Sequence, residues 1–290
     1  MSWSVEGRTV LVTGGNSGIG RATAVELARR GGEVIITARD PERGRHAVDE
    51  IAQRSGRRAA LEPLDLASFA SVRALAQRLS AERGRVDVLV NNAGVYRGTR
   101  RTTEDGHEWT LGVNHLGPFL LTCLLAADPG TRPHRVISLA SAMHTHAKCD
   151  VAFRALDCPG RYRGLATYAR SKLANVLFTV ELSRRFAAGE LAAFAVHPGL
   201  VATRIAQDGD SCLGSMAWKL GRRWMRSPAE GASGPVYLAT EPGVEHESGG
   251  YFADQERVEP GAAATSIEAA GNLWRLSAAV VGCDAGTRVG

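Results

Sequence analysis

Arg8-Thr-Val-Leu-Val12 runs directly into Thr13-Gly-Gly-Asn-Ser-Gly-Ile-Gly20, and a helical pattern then continues through Arg30. A short apolar strand, a glycine-rich turn and a helix follow one another with no spacer. Gly14, Gly18 and Gly20 let the backbone come close to a bound group, and the helix N-terminus offers unpaired N–H groups and a positive dipole end. Glycine spacing alone marks only a tight turn. In its strand-loop-helix setting it predicts a nucleotide phosphate site.

Outward from this loop the alternation repeats. Glu33-Val-Ile-Ile-Thr37 reads as the next strand, followed by a helix over Pro41 to Arg54, a strand near Arg58 to Leu64, a helix from Ser68 to Glu82, and the strand Val86 to Val90. Repeated βαβ units predict a parallel sheet covered on both faces, an α/β Rossmann-type doubly wound fold. No Pro/Ser-rich linker, repeat or low-complexity segment divides the chain, so residues 1–290 are expected to form a single domain. After the second strand stands Ala38-Arg39. An acidic residue there would accept hydrogen bonds from an adenosine ribose, whereas arginine pairs with a 2′-phosphate, so the sequence favours NADP(H) over NAD(H), with Arg39 as the clamp.

Composition excludes several other classes. The 290 residues are 44% hydrophobic and 22% charged, which fits neither a fibrous nor a disordered chain. The formal net charge is +5, but 35 Lys and Arg are scattered among 30 Asp and Glu without a basic, aromatic-interleaved run, so nucleic acid is not an expected partner. Cys123, Cys149, Cys158, Cys212 and Cys283 are odd in number and irregular in spacing, and predict a reduced, cytoplasmic protein without a disulfide framework. The start, Met1-Ser-Trp-Ser-Val-Glu-Gly-Arg8, lacks a basic n-region and an apolar h-region, and no apolar run approaches 18 residues, so neither secretion nor a membrane span is expected.

Farther along, Tyr168 and Lys172 stand four residues apart in Leu165-Ala-Thr-Tyr-Ala-Arg-Ser-Lys-Leu-Ala-Asn-Val-Leu-Phe178. On a helix their Cβ atoms lie within about 5–6 Å. An ammonium held roughly 4 Å from a phenol favours the phenolate by about 4 kcal/mol at an effective dielectric near 20, which brings a tyrosine toward proton exchange at neutral pH. Taken alone, such a pair also describes a half-buried ring beside a solvated amine.

Its company decides the reading. Thr13-Gly14 with Gly18 and Gly20, Asp65-Leu66, Asn91-Asn-Ala-Gly94, Asn114, Ser141, Tyr168 with Lys172, and Pro198-Gly199 with Thr203 occur in an order that resembles the short-chain dehydrogenase/reductase family over nearly the full chain. Leu111-Gly-Val-Asn-His-Leu-Gly-Pro-Phe-Leu-Leu-Thr122, Ser171-Lys-Leu-Ala-Asn-Val-Leu-Phe178, His197-Pro-Gly199 and Ser248-Gly-Gly-Tyr-Phe252 are similar to its retinol-dehydrogenase-like branch. Two departures stand out: no membrane anchor of the kind with which members often begin is expected, and Pro118-Phe119 replaces a common His-Phe.

The resemblance implies a hydride transfer between NADP(H) and a carbonyl or alcohol, with a lipophilic aldehyde, ketone or retinoid-like compound as the small-molecule substrate. In it Tyr168 is the general acid or base, Lys172 lowers the Tyr168 pKa and binds the nicotinamide ribose, and Ser141 hydrogen-bonds the substrate oxygen, with Ser138 as the alternative. Asn114 holds a relay water. Ser17 and Ile19 lie on the pyrophosphate loop and Asp65 near the adenine. Asn91 and Gly94 shape the adenosine side, and Pro198, Gly199 and Thr203 flank the nicotinamide. A non-catalytic NADP(H) sensor or scaffold on the same fold is the rival reading.

The second half holds the specificity elements. His144, His146, Cys149 and Cys158 fall between Ser141 and Tyr168, but two ligands one residue apart with no Cys-x2-Cys fit a polar loop better than zinc, and no metal is expected. Residues 204–226, with Ile205, Leu213, Met216, Trp218, Leu220, Trp224 and Met225 among basic residues, fit a substrate lid, an amphipathic core helix or a lipid-surface contact. Ser227-Pro-Ala-Glu230 marks a helix start and Asn272 to Val281 a terminal helix. A homodimer through the helices holding Asn114 and Tyr168 is the family's usual pairing, with the long Ser141 to Tyr168 connection a possible obstruction.

Overall fold

Val10, Leu11 and Val12 have no exposed surface, because β1 (Thr9–Val12) lies inside the sheet with a strand on each edge and a helical layer on each face. That is why its side chains do not alternate in polarity. The computed structural model describes residues 3–82, 84–158, 160–201 and 225–283. One sheet runs through them in the order β3-β2-β1-β4-β5-β6-β7-β8. After β1 come α1 (Gly18–Arg29), β2 (Glu33–Ala38), α2 (Pro41–Ser55), β3 (Ala60–Pro63), α3 (Phe69–Glu82) and β4 (Val88–Asn91). Then follow α4 (Trp109–Leu111), a π-helical turn (Gly112–Leu116), α5 (Gly117–Ala127), β5 (Arg135–Leu139), α6 (Gly164–Arg185) and β6 (Ala192–His197). The chain closes with α7 (Pro228–Thr240), β7 (Tyr251–Ala253), β8 (Glu256–Val258) and α8 (Ile267–Val281). All strand pairs are parallel except β7 with β8.

This is the doubly wound single domain expected from the alternation. Helices α1, α2 and α7 cover one face, α3, α5 and α6 the other, and each face carries its own apolar cluster. The strand order reverses between β1 and β4, which opens a crevice at their carboxyl ends. Strands three and four are shorter or later than expected, Ala60–Pro63 and Val88–Asn91, because ladder pairing with β2 begins at Ala60 and with β1 and β5 at Val88. Helix α7 starts as predicted: Ser227 Oγ accepts from Glu230 N, and the Glu230 carboxylate accepts from Ser227 N. Helix α8 begins five residues before the expected Asn272, where Ser266 caps it.

Two expectations change, and a third gains a structural setting. Cys149 and Cys158 are bonded to each other, against the expectation of no disulfide; a nine-residue separation in a folded-back loop brings their Cα atoms to 6.1 Å. The cysteines therefore give no support to a reducing compartment. Second, Trp109–Ala127 forms a 19-residue helical stretch apolar enough in composition to cross a membrane, although no such run was expected. It is 89% buried within the fold, as a core helix would be. Third, the outer side of α5 and α6 is covered by α8 of the same chain: Trp274 packs edge-on to Phe119 and stacks on Phe178, with centroids 4.9 and 5.9 Å away. These are the helices through which two copies were expected to pair. The proposed lid lies outside the described residues except for Met225 and Arg226.

Candidate active site

A cavity of about 660 Å³ opens along the carboxyl ends of β1, β2, β4, β5 and β6. One end is the glycine loop. Gly14 adopts a left-handed φ of +63°, and a Cβ on Gly20 would lie 2.3 Å from Asn92 Nδ2. The absence of that Cβ lets the Asn92 amide donate to the Thr13 carbonyl at 2.7 Å, fixing the loop against β4. Ser17 precedes α1 without making a side-chain cap, and Gly18, Ile19 and Gly20 line the cavity. The uncapped first turn suits a pyrophosphate.

At the same end, Arg39 and Arg43 line the wall with Asp65. Asp40 caps α2 by accepting from Glu42 N at 2.9 Å and Arg43 N at 3.2 Å, and its second oxygen lies 3.5 Å from Arg43 Nε. Arg43 was missed in the sequence; its signal is the four-residue spacing from Arg39 across a helix cap. Two arginines at this edge fit a phosphorylated adenosine end.

Ser141, Tyr168, Lys172, Gly94, Pro198 and Gly199 line the other end. Ser138 is buried within β5 and is not on the wall, which separates it from Ser141. Apolar side chains of Val95, Trp109, Met143, Leu165 and Leu200 surround this part, and Leu165 and Leu200 are 59% and 66% exposed at the rim. Tyr168 sits edge-on to Tyr96, 6.1 Å between ring centroids.

Electrostatics here differ from the expectation that Lys172 depresses the tyrosine. Burial pushes the Tyr168 phenol above its usual pKa, with hydrogen bonding by Ser141 acting against it. The Lys172 ammonium donates to the Leu139 carbonyl at 2.9 Å and lies 5.7 Å from the Tyr168 ring centre. Asn175 Nδ2 donates to the same carbonyl at 3.0 Å. Desolvation lowers the Lys172 pKa to about 8, so at neutral pH the lysine is still mostly charged.

Two expected residues lie off the cavity wall. Asn91, at the end of β4, directs its amide toward α5, where Nδ2 donates to Thr122 Oγ1 at 3.0 Å; its neighbour Asn92 takes the cavity side because strand side chains alternate. Asn114, within the π-turn, uses its whole amide internally. Oδ1 accepts from Val95 N at 2.7 Å, and Nδ2 donates to Val95 O and Ser171 Oγ, each at 3.0 Å. Ser171 Oγ in turn donates to the Tyr168 carbonyl at 2.8 Å, coupling the π-turn to α6. The α-helical donor to the Asn114 carbonyl would be residue 118, and Pro118 has no N–H. Thr203 lies outside the described residues.

Comparison with known proteins agrees with this geometry. A family profile described as short chain dehydrogenase matches residues 8–148. Human retinol dehydrogenase 13 is 40% identical over 97% of this chain and 87% of its own length. The crystal structure of an uncharacterized protein from Mycobacterium Paratuberculosis superimposes with a TM-score of 0.77 at 32% identity, covering 98% of this chain and 96% of that one. The structure of a blue fluorescent protein from a metagenomic library in complex with NADPH gives 0.64 at 29% identity, with 87% and 97% coverage. The chain belongs to the short-chain dehydrogenase/reductase family, in its retinol-dehydrogenase-like branch.

Proposed function

We propose that the chain is an NADP(H)-dependent oxidoreductase acting on a lipophilic aldehyde, ketone or retinoid-like compound, with carbonyl reduction as its working direction. The observation that carries this is one cavity with Arg39 and Arg43 at one end and Ser141, Tyr168 and Lys172 within an apolar rim at the other. The retinol dehydrogenase relatives and the NADPH-bound structural neighbour support it.

Bound NADPH would supply the hydride; the protein's part is geometry and proton transfer. The α1 N-terminus would hold the pyrophosphate and Arg39 with Arg43 the 2′-phosphate. Tyr168 would give its phenolic proton to the substrate oxygen as charge develops there, while the Ser141 hydroxyl donates a hydrogen bond to it. Lys172 would hold positive charge behind the phenol, which eases proton loss once the ammonium leaves the Leu139 carbonyl. Any relay through Asn114 would run through its main-chain carbonyl, since its amide is spent.

Steady-state turnover of lipophilic carbonyls with NADPH tests the reading. Tyr168→Phe is expected to lower kcat by about 100-fold or more while the Kd for NADPH stays within about twofold. A Tyr168→Phe protein as active as the native one would falsify the assignment. The cofactor choice is tested separately: NADH binding as tightly as NADPH removes Arg39 and Arg43 as phosphate ligands.

A further inference from the structure

His144 lies three residues beyond Ser141, and only 3% of its surface is exposed. Ser141 caps the 3-10 turn Ala142–His146, accepting from Met143 N through Oγ at 3.2 Å. Its carbonyl takes two contacts from His144, the main-chain N–H at 3.0 Å and the ring Nδ1 at 2.7 Å. On the far side of the ring, the main-chain N–H of Gly261 donates to Nε2 at 3.0 Å. A backbone N–H has only a proton to give, so Nε2 must be bare and Nδ1 must carry the ring proton. The tautomer is thereby set by the fold, and the Ser141 carbonyl receives two donors.

The segment that sets it approaches closely. A Cβ on Gly261 would lie 3.0 Å from Thr145 Cγ2, so the chain after β8 lies against the 3-10 turn. The ring of Tyr251 packs edge-on to His144 with centroids 4.9 Å apart. His146 and His197 are the other titratable groups near the ring, and His197 Nδ1 accepts from Ala142 N at 3.3 Å on the same turn. Burial holds His144 below its usual pKa, as does His146, against the opposing Ser141 hydrogen bond. Protonation would place a second N–H at Nε2 facing that of Gly261.

We infer that His144 is a positioning residue: in its neutral Nδ1–H form, anchored at Nε2 by Gly261, it holds the Ser141 turn to the cavity wall. Its effect on turnover rests on the function proposed above for Ser141; the anchor itself does not. A histidine placed only to fill space would need neither a fixed tautomer nor a donor to this carbonyl. His144 thus ties the substrate-side serine to a main-chain group more than one hundred residues later in the sequence.

Two measurements test this. Ring-nitrogen correlation spectra of the native protein at pH 8 are expected to show His144 as the neutral Nδ1–H tautomer; an Nε2–H ring overturns the anchor. In turnover, His144→Phe, which removes both ring contacts, is expected to lower kcat by about 10- to 100-fold with Kd for NADPH little changed. His144→Asn, whose amide reaches the place of Nδ1, is expected to recover to within about fivefold of native kcat. Native kcat in His144→Phe, an equal loss in His144→Asn, or a parallel loss of NADPH binding overturns the positioning role. A native protein with no turnover on any carbonyl sinks the proposed function instead, and the spectra still decide the anchor.

Discussion

Lys172 is a buried charge with no carboxylate partner among the described residues. It is 3% exposed and meets the Leu139 carbonyl rather than a carboxylate, so desolvation brings its pKa down from 10.5 to about 8. A base whose pKa falls on folding binds fewer protons folded than unfolded between the two values, so stability rises with pH through that window. The gap corresponds to about 3 kcal/mol of destabilisation, present in full below pH 8 and relieved toward 10.5. Lys172→Met should therefore unfold at higher denaturant at pH 7, by about 1–3 kcal/mol once its lost hydrogen bond is allowed for. Asn175 still satisfies the Leu139 carbonyl in the variant. The advantage should shrink between pH 8 and 10.5, while turnover is lost at every pH; a variant less stable than native at pH 7 contradicts the account. The four-residue spacing, read together with the motifs around it, put Tyr168 and Lys172 on one helix, and both line the cavity. The state of the lysine was not legible, because it depends on a carbonyl from a strand 33 residues earlier.

At the scale of elements, β1 and β2 were readable because their centres, Val10-Leu11-Val12 and Val34-Ile35-Ile36, are continuous apolar runs buried on both faces. The π-turn was not. It changes the backbone register without changing the apolar period, and its one trace is Pro118, which lacks the N–H an uninterrupted α-helix would need. The directions of the Asn91 and Asn114 side chains, both off the cavity wall, were not readable for a related reason: a motif fixes position along the chain, whereas side-chain direction is fixed by strand alternation and helix register. The loop between Ser141 and α6 hid its organisation too. Its anchor is Arg170, between Tyr168 and Lys172, which donates to the carbonyls of Ala155 and Leu156 and packs 4.2 Å from the buried Phe153 ring. Arg170→Leu would leave those carbonyls unpaired and is expected to destabilise the protein by about 2–4 kcal/mol. Limited proteolysis should then cut between residues 147 and 163 first; an unchanged cleavage pattern with native stability would show that Arg170 does not hold the loop.

The whole molecule is closed by its last described helix. Trp274 fills the space against Phe119 and Phe178, the Arg185 guanidinium lies 4.3 Å over its ring, and Ser277 Oγ is 2.8 Å from His115 Nε2 in the π-turn. His115, held near a pKa of 3 mainly by burial, stays neutral at every physiological pH, so this contact is constant. Sequence periodicity marked a terminal helix but not what it would cover, since an apolar stripe does not name its partner. If the packing of α8 on α5 and α6 shields the surface expected to pair two copies, that surface needs a cover. Removing the cover should expose that requirement. Trp274→Ala is expected to cost about 3–5 kcal/mol through the cavity it leaves. It also uncovers Phe119 and Phe178, and an apolar face of that kind favours self-association. Sedimentation of native and variant protein over a range of concentrations separates the two effects. The variant should gain mass with concentration more steeply than the native protein, whereas equal masses throughout, with stability lowered, would mean that α8 only fills volume and does not shield a pairing surface.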